Sequence, residues 1–155
     1  MDEPTDNPGV IARPPLLYGG ALIVALLLNL LWPLPIFGDT VGRWCGLPLV
    51  VLGAGILAWG RNSLVSGGTP VDPTLPTTAI VTSGPYQYSR NPLYLGLTLI
   101  FVGLTLTMNT WWGIVALIPL VMVMHNAVVL REERYLAEKF GESYRQYRAK
   151  VRRYL

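Results

Sequence analysis

The chain has 155 residues, of which 52% are hydrophobic and only 14% are charged. Soluble domains carry about 25% charged residues, so a chain of this composition cannot coat itself with polar surface. The composition excludes an ordinary water-soluble enzyme, and the apolar content excludes intrinsic disorder. It predicts a small integral membrane protein whose main partner is the lipid bilayer.

The charge is concentrated at the C-terminus. Eight of the 12 Lys and Arg residues and four of the nine acidic residues lie in positions 131–155, so that segment carries +4 while residues 1–130 carry −1. A basic tail on a nearly uncharged body does not match a nucleic-acid-binding face. The single cysteine, Cys45, excludes a disulfide framework and a cysteine-based metal cluster. We therefore expect neither a nucleic-acid partner nor a bound metal.

Four apolar runs predict about four transmembrane helices in a single domain that covers the whole chain. The runs cover residues 15–33, 41–60, 93–108 and 111–130. A helix needs roughly 20 residues to cross about 30 Å of hydrocarbon, so the first and third runs are slightly short. Tyr and Trp residues at the ends of the runs suit the headgroup level and extend each span. The predicted fold class is an all-α integral membrane protein.

The basic residues also predict the orientation. If both termini are cytoplasmic, eleven of the 12 basic residues lie on the cytoplasmic side and only Arg43 lies outside. This distribution follows the positive-inside rule. It places the loop 61–92 and the tail 131–155 together on the cytoplasmic face. Because the outer links are too short to hold a site, we expect the chemistry on the inner face.

The cytoplasmic loop is rich in residues that disfavour helix and strand, notably in segments 67–70, 72–73 and 83–85. A loop of about thirty residues in a compact protein is usually either functional or disordered. It ends at Pro92, which suits the first turn of a helix because that turn needs no N–H from the residue. Asn91 is therefore the predicted N-cap of the third helix.

The tail opens with two adjacent carboxylates, Glu132 and Glu133, directly after an apolar helix. Both the leaflet potential and the helix dipole oppose negative charge at this place. We expect a compensating cation, which is either a neighbouring arginine or a cationic ligand.

The rest of the tail is predicted to be an amphipathic helical segment that Gly141 divides into two short helices. Its apolar stripe recurs at three- and four-residue spacing and consists of Leu136, Phe140, Tyr144, Tyr147 and Val151. For the last twelve residues, which include Arg152 and Arg153, the expected role is binding to anionic lipid.

Several ordered motifs resemble one known family. Segments 82–86 and 90–96, the Glu132-Glu133 pair, and Phe140-Gly141 with the following tyrosines resemble the isoprenylcysteine carboxyl methyltransferase family and, more distantly, the phospholipid N-methyltransferases. The similarity covers about residues 67–151. It implies S-adenosyl-L-methionine as the cofactor, bound on the cytoplasmic side by the loop and the helix that follows.

The resemblance also implies roles for individual residues. Arg131 and Asn91 are the implied catalytic residues. Asn91 stands where the family usually has His, and Val128 stands where the prenylcysteine branch has an Arg for the substrate carboxylate. The implied cofactor-binding residues are Thr78, Ala79, Ile80, Val81, Tyr86, Arg90, Asn91, Pro92, Leu93, Tyr94, Glu132 and Glu133.

The residue chemistry fits methyl transfer. A carboxylate at Glu132 can accept a hydrogen bond from an α-ammonium group, and Tyr86 and Tyr94 can place aromatic faces against a sulfonium. The predicted acceptor is a small apolar or lipid-linked carboxyl, thiol or amine group. His125, an intramembrane polar residue, is predicted to share a face with Glu132 and to shape the acceptor side.

Two other functions remain open from the sequence. One is an NADPH-dependent membrane reductase of the sterol-reductase type, although the loop has no basic cluster for a 2′-phosphate. The other is a non-catalytic membrane adaptor that binds lipid through its basic tail.

Overall fold

The computed structural model describes residues 6–38 and 44–154, and these residues contain helices and loops but no strand. This agrees with the predicted all-α fold. A 3₁₀ turn, Gly84–Gln87, precedes α3, and π-helical Met124–Val129 joins α4 to α5. The helices are α1 Pro14–Leu31, α2 Gly46–Ser66, α3 Pro92–Thr107, α4 Trp111–Val123, α5 Leu130–Phe140 and α6 Glu142–Lys150.

Three helical segments are long and apolar enough to cross a membrane, namely Pro14–Leu31, Gly46–Ser66 and the continuous Trp111–Phe140. The fourth apolar helix, Pro92–Thr107, has 16 residues and is shorter than a full span. Three of the four predicted spans therefore correspond to helices of full spanning length among the described residues.

The second helix differs from its predicted bounds of 41–60. It continues to Ser66, so Arg61 lies on the helix and the loop begins at Gly67. The helix ends there because Gly68 has a φ of +70°, and the N–H groups of Gly68 and Thr69 bond back to the carbonyls of Val65 and Leu64. The predicted start of this helix and the predicted outer cation Arg43 lie outside the described residues.

Glycines let α2 and α3 pack backbone against backbone. A Cβ atom built on Gly53 would lie 2.6 Å from the carbonyl oxygen of Gly96, and one built on Gly103 would lie 2.6 Å from the carbonyl oxygen of Gly46. Helices in membranes associate through such small residues because lipid gives them no hydrophobic driving force. The contact fixes α3, whose first turn carries several predicted site residues.

The other helices surround an apolar core. Tyr18 of α1 packs edge to face on Phe101 of α3, with ring centroids 6.1 Å apart. Leu120, Met124 and Val128 complete the buried cluster. Val128 is fully buried in this cluster, so its side chain is not exposed to solvent.

The side chain of Asn109 joins the two links at the far end of the bundle. Asn109 has a φ of +53°, and its Oδ1 accepts hydrogen bonds from the N–H groups of Ile36 and Phe37 at 2.9 and 2.7 Å. Its Nδ2 donates to the Phe37 carbonyl at 3.0 Å. The two short links thus form one packed turn.

The C-terminal region confirms the predicted break at Gly141, which has a φ of +52° and separates α5 from α6. Its location differs from the prediction of a lipid-facing stripe. Tyr144 and Tyr147 are only 2% and 9% exposed. The apolar side of α6 therefore packs against the protein, over the start of α3.

Candidate functional site

One cavity lies at the loop end of the bundle, between the end of α2, the loop, the first turn of α3, and helices α5 and α6. It brings together every predicted cofactor-site residue except Thr78. Those that line it are Ala79, Ile80, Val81, Tyr86, Arg90, Asn91, Pro92, Leu93, Tyr94, Glu132 and Glu133. The remaining lining residues are Leu64, Thr69, Pro70, Val71, Asp72, Pro73, Thr77, Leu136, Tyr144 and Tyr147.

Thr78 shapes the loop instead of lining the cavity. Its hydroxyl donates to the Gly68 carbonyl at 2.6 Å, and its N–H donates to the buried Thr69 hydroxyl at 3.1 Å. The chain then passes along the cavity through residues 79–81. No hydrogen bond among the described residues uses the backbone N–H groups of these three positions. They are therefore available as donors.

Two further contacts hold the loop near the ends of the other helices. Asp72 accepts hydrogen bonds from the N–H and hydroxyl of Thr74 at 3.0 and 2.7 Å and forms an ion pair with Arg13 at 3.0 Å. These contacts lower the pKa of Asp72, the Thr74 hydrogen bond most strongly. The Thr77 N–H donates to the hydroxyl of Tyr135 on α5 at 3.2 Å.

The segment before α3 is a tight turn that directs Tyr86 into the protein. Gly84 has a φ of +62°, and a Cβ atom there would collide with the Ser63 hydroxyl, so the turn requires glycine. The Tyr147 hydroxyl donates to the Tyr86 carbonyl at 2.7 Å. Burial raises the pKa of both tyrosines, which stay protonated at neutral pH.

Glu132 presents an uncompensated carboxylate to the cavity. Its Oε2 accepts a hydrogen bond from the Tyr94 hydroxyl at 2.7 Å. Within residues 6–38 and 44–154, no Lys, Arg or His nitrogen lies within 4.0 Å of it. A half-buried carboxylate without a cation is unfavourable unless a ligand supplies the charge.

Glu133, its neighbour, is fully compensated. Arg153 binds both of its oxygens, with Nε to Oε1 at 2.8 Å and Nη2 to Oε2 at 2.9 Å. The Nη1 atom of Arg90 lies 3.0 Å from the same Oε1. Both Glu133 and Arg90 are buried, with side chains 8% and 7% exposed. The expected compensation of the paired glutamates by arginine therefore applies to one glutamate of the two.

Asn91 occupies the predicted N-cap position, but its side chain does not cap the helix. The Nδ2 atom instead donates to the carbonyl of Arg153 at 3.0 Å, and the Asn91 N–H donates to the Ser89 hydroxyl at 3.2 Å. The residue is 7% exposed and borders the cavity. Its orientation is thus set by the end of the chain.

Two predicted functional residues lie elsewhere. Arg131 lines a separate cleft beside the N-terminal segment, and its Nη1 donates to the Gly9 carbonyl at 2.8 Å. The Nδ1 atom of His125 lies 2.9 Å from the Tyr154 hydroxyl, and His125 does not line the cavity that Glu132 faces. Its predicted face assumed α-helical periodicity, whereas this segment is π-helical and turns by a different angle per residue.

Sequence reasoning missed the part that Arg153 has in this region. It interpreted this residue as a lipid-binding cation of the tail, whereas the structure pairs it with Glu133. The paired glutamates were the one signal, because they required a cation and the tail supplies one.

Comparison with known proteins identifies a family for this chain. The family model described as phospholipid methyltransferase matches residues 41–143, which include most of the cavity lining. An uncharacterized protein of Haemophilus influenzae is 40% identical over 63 residues, which are 41% of this chain and all of that protein. No solved structure matches the chain.

A second relative is named for its activity. The protein-S-isoprenylcysteine O-methyltransferase of Schizosaccharomyces pombe is 32% identical over 72 residues, which are 46% of this chain and 30% of the yeast protein. Both findings point to a membrane methyltransferase. Since the family model covers most of its length, the chain belongs to the phospholipid methyltransferase family.

Proposed function

We propose that the chain is an S-adenosyl-L-methionine-dependent methyltransferase that acts on a small apolar or lipid-linked acceptor at one face of the membrane. The observation that carries this proposal is Glu132, a carboxylate that faces the cavity with the Tyr94 hydroxyl as its partner and no cation within reach among the described residues. The family and the yeast relative support the same reaction class.

The residues around the cavity fit this cofactor. Glu132 would accept hydrogen bonds from the α-ammonium group, and the N–H groups of residues 79–81 would donate to its carboxylate or ribose. Tyr86 and Tyr94 offer aromatic faces, which attract cations. When bound, S-adenosyl-L-methionine supplies an electrophilic methyl group attached to a sulfonium.

The remaining work of the site is alignment and exclusion of water. Leu64, Leu93 and Leu136 give the cavity an apolar side, which removes water from a reacting nucleophile. The glycine contact between α2 and α3 holds the first turn of α3 in place. Methyl transfer is an in-line displacement, so a large part of its rate enhancement comes from such positioning.

The proposal for the acceptor rests on position 128, where this chain has a valine instead of an arginine. The yeast relative is named for an isoprenylcysteine acceptor, and the prenylcysteine branch is implied to hold the carboxylate with an Arg where this chain has Val128. Val128 is fully buried in the core, and Arg131 points into a different cleft. We therefore favour an acid, thiol or amine that does not depend on an arginine at that position.

The test is calorimetric titration of the purified protein with S-adenosylhomocysteine in detergent. We expect binding by the wild-type protein, weakened in Glu132→Gln by about ten- to a hundredfold, since a charge-assisted hydrogen bond contributes about 1.5–3 kcal/mol. Glu138→Gln is the matched control, because Glu138 is an exposed glutamate of the same helix that lies outside the cavity.

The same titration tests the alternatives. Tight binding of NADPH in place of S-adenosylhomocysteine would favour a reductase, and binding of neither would favour an adaptor. Equal affinities of the wild-type and Glu132→Gln proteins would remove Glu132 from the cofactor site.

We further propose that all four long helices cross the membrane and that both termini are cytoplasmic. The loop and both ends of the chain meet at one end of the bundle, where Asp72 pairs with Arg13 and Asp6 pairs with Lys139. The native Cys45 lies at the opposite end of α2 and is exposed. In sealed vesicles an impermeant maleimide should label Cys45 from outside, whereas a Ser143→Cys variant made in a Cys45→Ser background should stay unlabelled.

A further inference from the structure

The last described residues of the chain run back over the start of α3. The Arg90 N–H donates to the Arg152 carbonyl at 2.9 Å. The Arg153 carbonyl accepts hydrogen bonds from Asn91 Nδ2 at 3.0 Å and from the Ser89 hydroxyl at 3.3 Å. The tail therefore satisfies polar groups in the segment that leads into the cavity.

The Arg153 side chain adds a second attachment. Its guanidinium binds both oxygens of Glu133, which also pairs with Arg90. A bidentate arginine–carboxylate pair fixes the orientation of the carboxylate as well as stabilising its charge. Without Arg153, the buried Glu133 would keep one guanidinium and lose its fixed orientation.

We infer that Arg153 is a positioning residue of the candidate active site, and for methyl transfer this inference rests on the proposed function. Arg153 does not line the cavity, but its bonded partners Asn91 and Glu133 do, and so does Arg90, which pairs with Glu133. Its backbone orients the Asn91 amide and its side chain orients the Arg90–Glu133 pair. The tail is thus a structural part of the site.

A lipid-binding role for the tail makes a different prediction. Lipid attraction depends on charge and treats exposed basic residues alike. The Arg148 side chain on α6 is exposed and makes no hydrogen bond or ion pair among the described residues. The Arg153 side chain is 29% exposed and donates two hydrogen bonds to Glu133. Arg148→Ala is therefore a matched control that removes the same charge without the pairing.

The experiment uses the full chain in detergent with the variants Arg153→Ala, Arg153→Lys and Arg148→Ala. Two quantities are measured, the dissociation constant of S-adenosylhomocysteine and the hydrogen-exchange rate of a peptide that contains the Arg90 amide. For Arg153→Ala we expect about tenfold weaker binding and about tenfold faster exchange, in proportion to the loss of one charge-assisted pair. Arg153→Lys should give intermediate values of both quantities, because it keeps the charge but cannot form the bidentate pair with the carboxylate. Arg148→Ala should match the wild type.

The outcomes separate this inference from the proposed function. Wild-type exchange and affinity in Arg153→Ala would overturn the inference, as would equal losses in Arg153→Ala and Arg148→Ala. If Arg153→Ala does not fold, Arg153→Lys decides by the same two measurements. If the wild type binds no S-adenosylhomocysteine but exchange at Arg90 rises in the Arg153 variants, the proposed function fails and the positioning role stands.

Discussion

Helix α3 takes part in two regions of the molecule, and they differ in how closely the helix approaches its neighbours. Along the middle of the helix, Gly96 and Gly103 contact the backbone of α2 with no room for a methyl group. In its first turn, Leu93 and Tyr94 border a cavity, and the Tyr94 hydroxyl is 2.7 Å from the Glu132 carboxylate, which has no cation within 4.0 Å in the part of the chain that the structure describes. The tight contact holds the helix in place, and its first turn packs at the edge of the cavity, where Leu93 and Tyr94 can contact a ligand.

The largest expected effect comes from disrupting the glycine contact between α2 and α3. In Gly53→Ala the new Cβ would lie 2.6 Å from the Gly96 carbonyl oxygen, and relieving this overlap should cost about 2–3 kcal/mol of unfolding free energy. Gly55→Ala is the matched control, since nothing lies within 4 Å of its Cβ. Thermal unfolding in detergent should show a large decrease for the first variant and none for the second. Equal melting temperatures would contradict the close contact.

The next effect concerns the acceptor side of the cavity. Because a buried valine replaces the implied carboxylate-binding arginine at position 128, farnesylcysteine analogues should lose a charge-assisted contact worth about 1.5–3 kcal/mol. We expect them to be methylated at least about tenfold more slowly than a smaller apolar acid, thiol or amine. Transfer of labelled methyl groups measures both rates. Efficient methylation of farnesylcysteine that Arg131→Ala abolishes would show that Arg131 takes over the role.

A smaller effect is expected in the cavity, where Tyr94 contacts Glu132. Tyr94→Phe removes the hydroxyl that orients Glu132, and S-adenosylhomocysteine binding should weaken by about 1.5 kcal/mol, or roughly tenfold. Tyr18→Phe is the control, since its hydroxyl lies in the helical core, 2.7 Å from the Thr98 hydroxyl and 3.5 Å from the Tyr94 carbonyl oxygen, and not in the cavity. Calorimetry should separate the two variants. A similar loss in both would indicate a general loosening of α3.

The smallest effect is expected at the ion pair between Asp72 of the loop and Arg13. Asp72→Asn removes a partly exposed ion pair with Arg13, which contributes at most about 0.5 kcal/mol. Because the folded-state pKa of Asp72 is lowered from 3.8, its stabilisation is present above that pH and is lost as pH falls through the lower folded value. The small difference in melting temperature between wild type and variant should therefore be seen at pH 7 and vanish in strong acid. A difference that grows on acidification would contradict this assignment.

The helices were predictable because each depends on local composition. Apolar runs indicated all four long helices, and Gly141 indicated the break in the tail. Their ends were harder to predict, since α2 continues to Ser66 through a mixed polar and apolar segment that contains no helix-breaking residue. The π-helical stretch Met124–Val129 was not predictable from a period of 3.6 residues, and it changed the direction expected for His125.

The site was predictable as a set of residues but not as an arrangement. The motifs of the loop, α3 and α5 identified about half of the cavity lining, and all but one of the predicted cofactor-binding residues lie there, because the residue types that suit a cofactor occur there in order. Glu132 and Glu133 are adjacent in sequence and looked equivalent. Only the tertiary structure distinguished them, by bringing Arg90 and Arg153 to Glu133 and Tyr94 to Glu132. Charge compensation is decided by distances of a few ångströms between segments far apart in the chain, and local composition does not specify those distances.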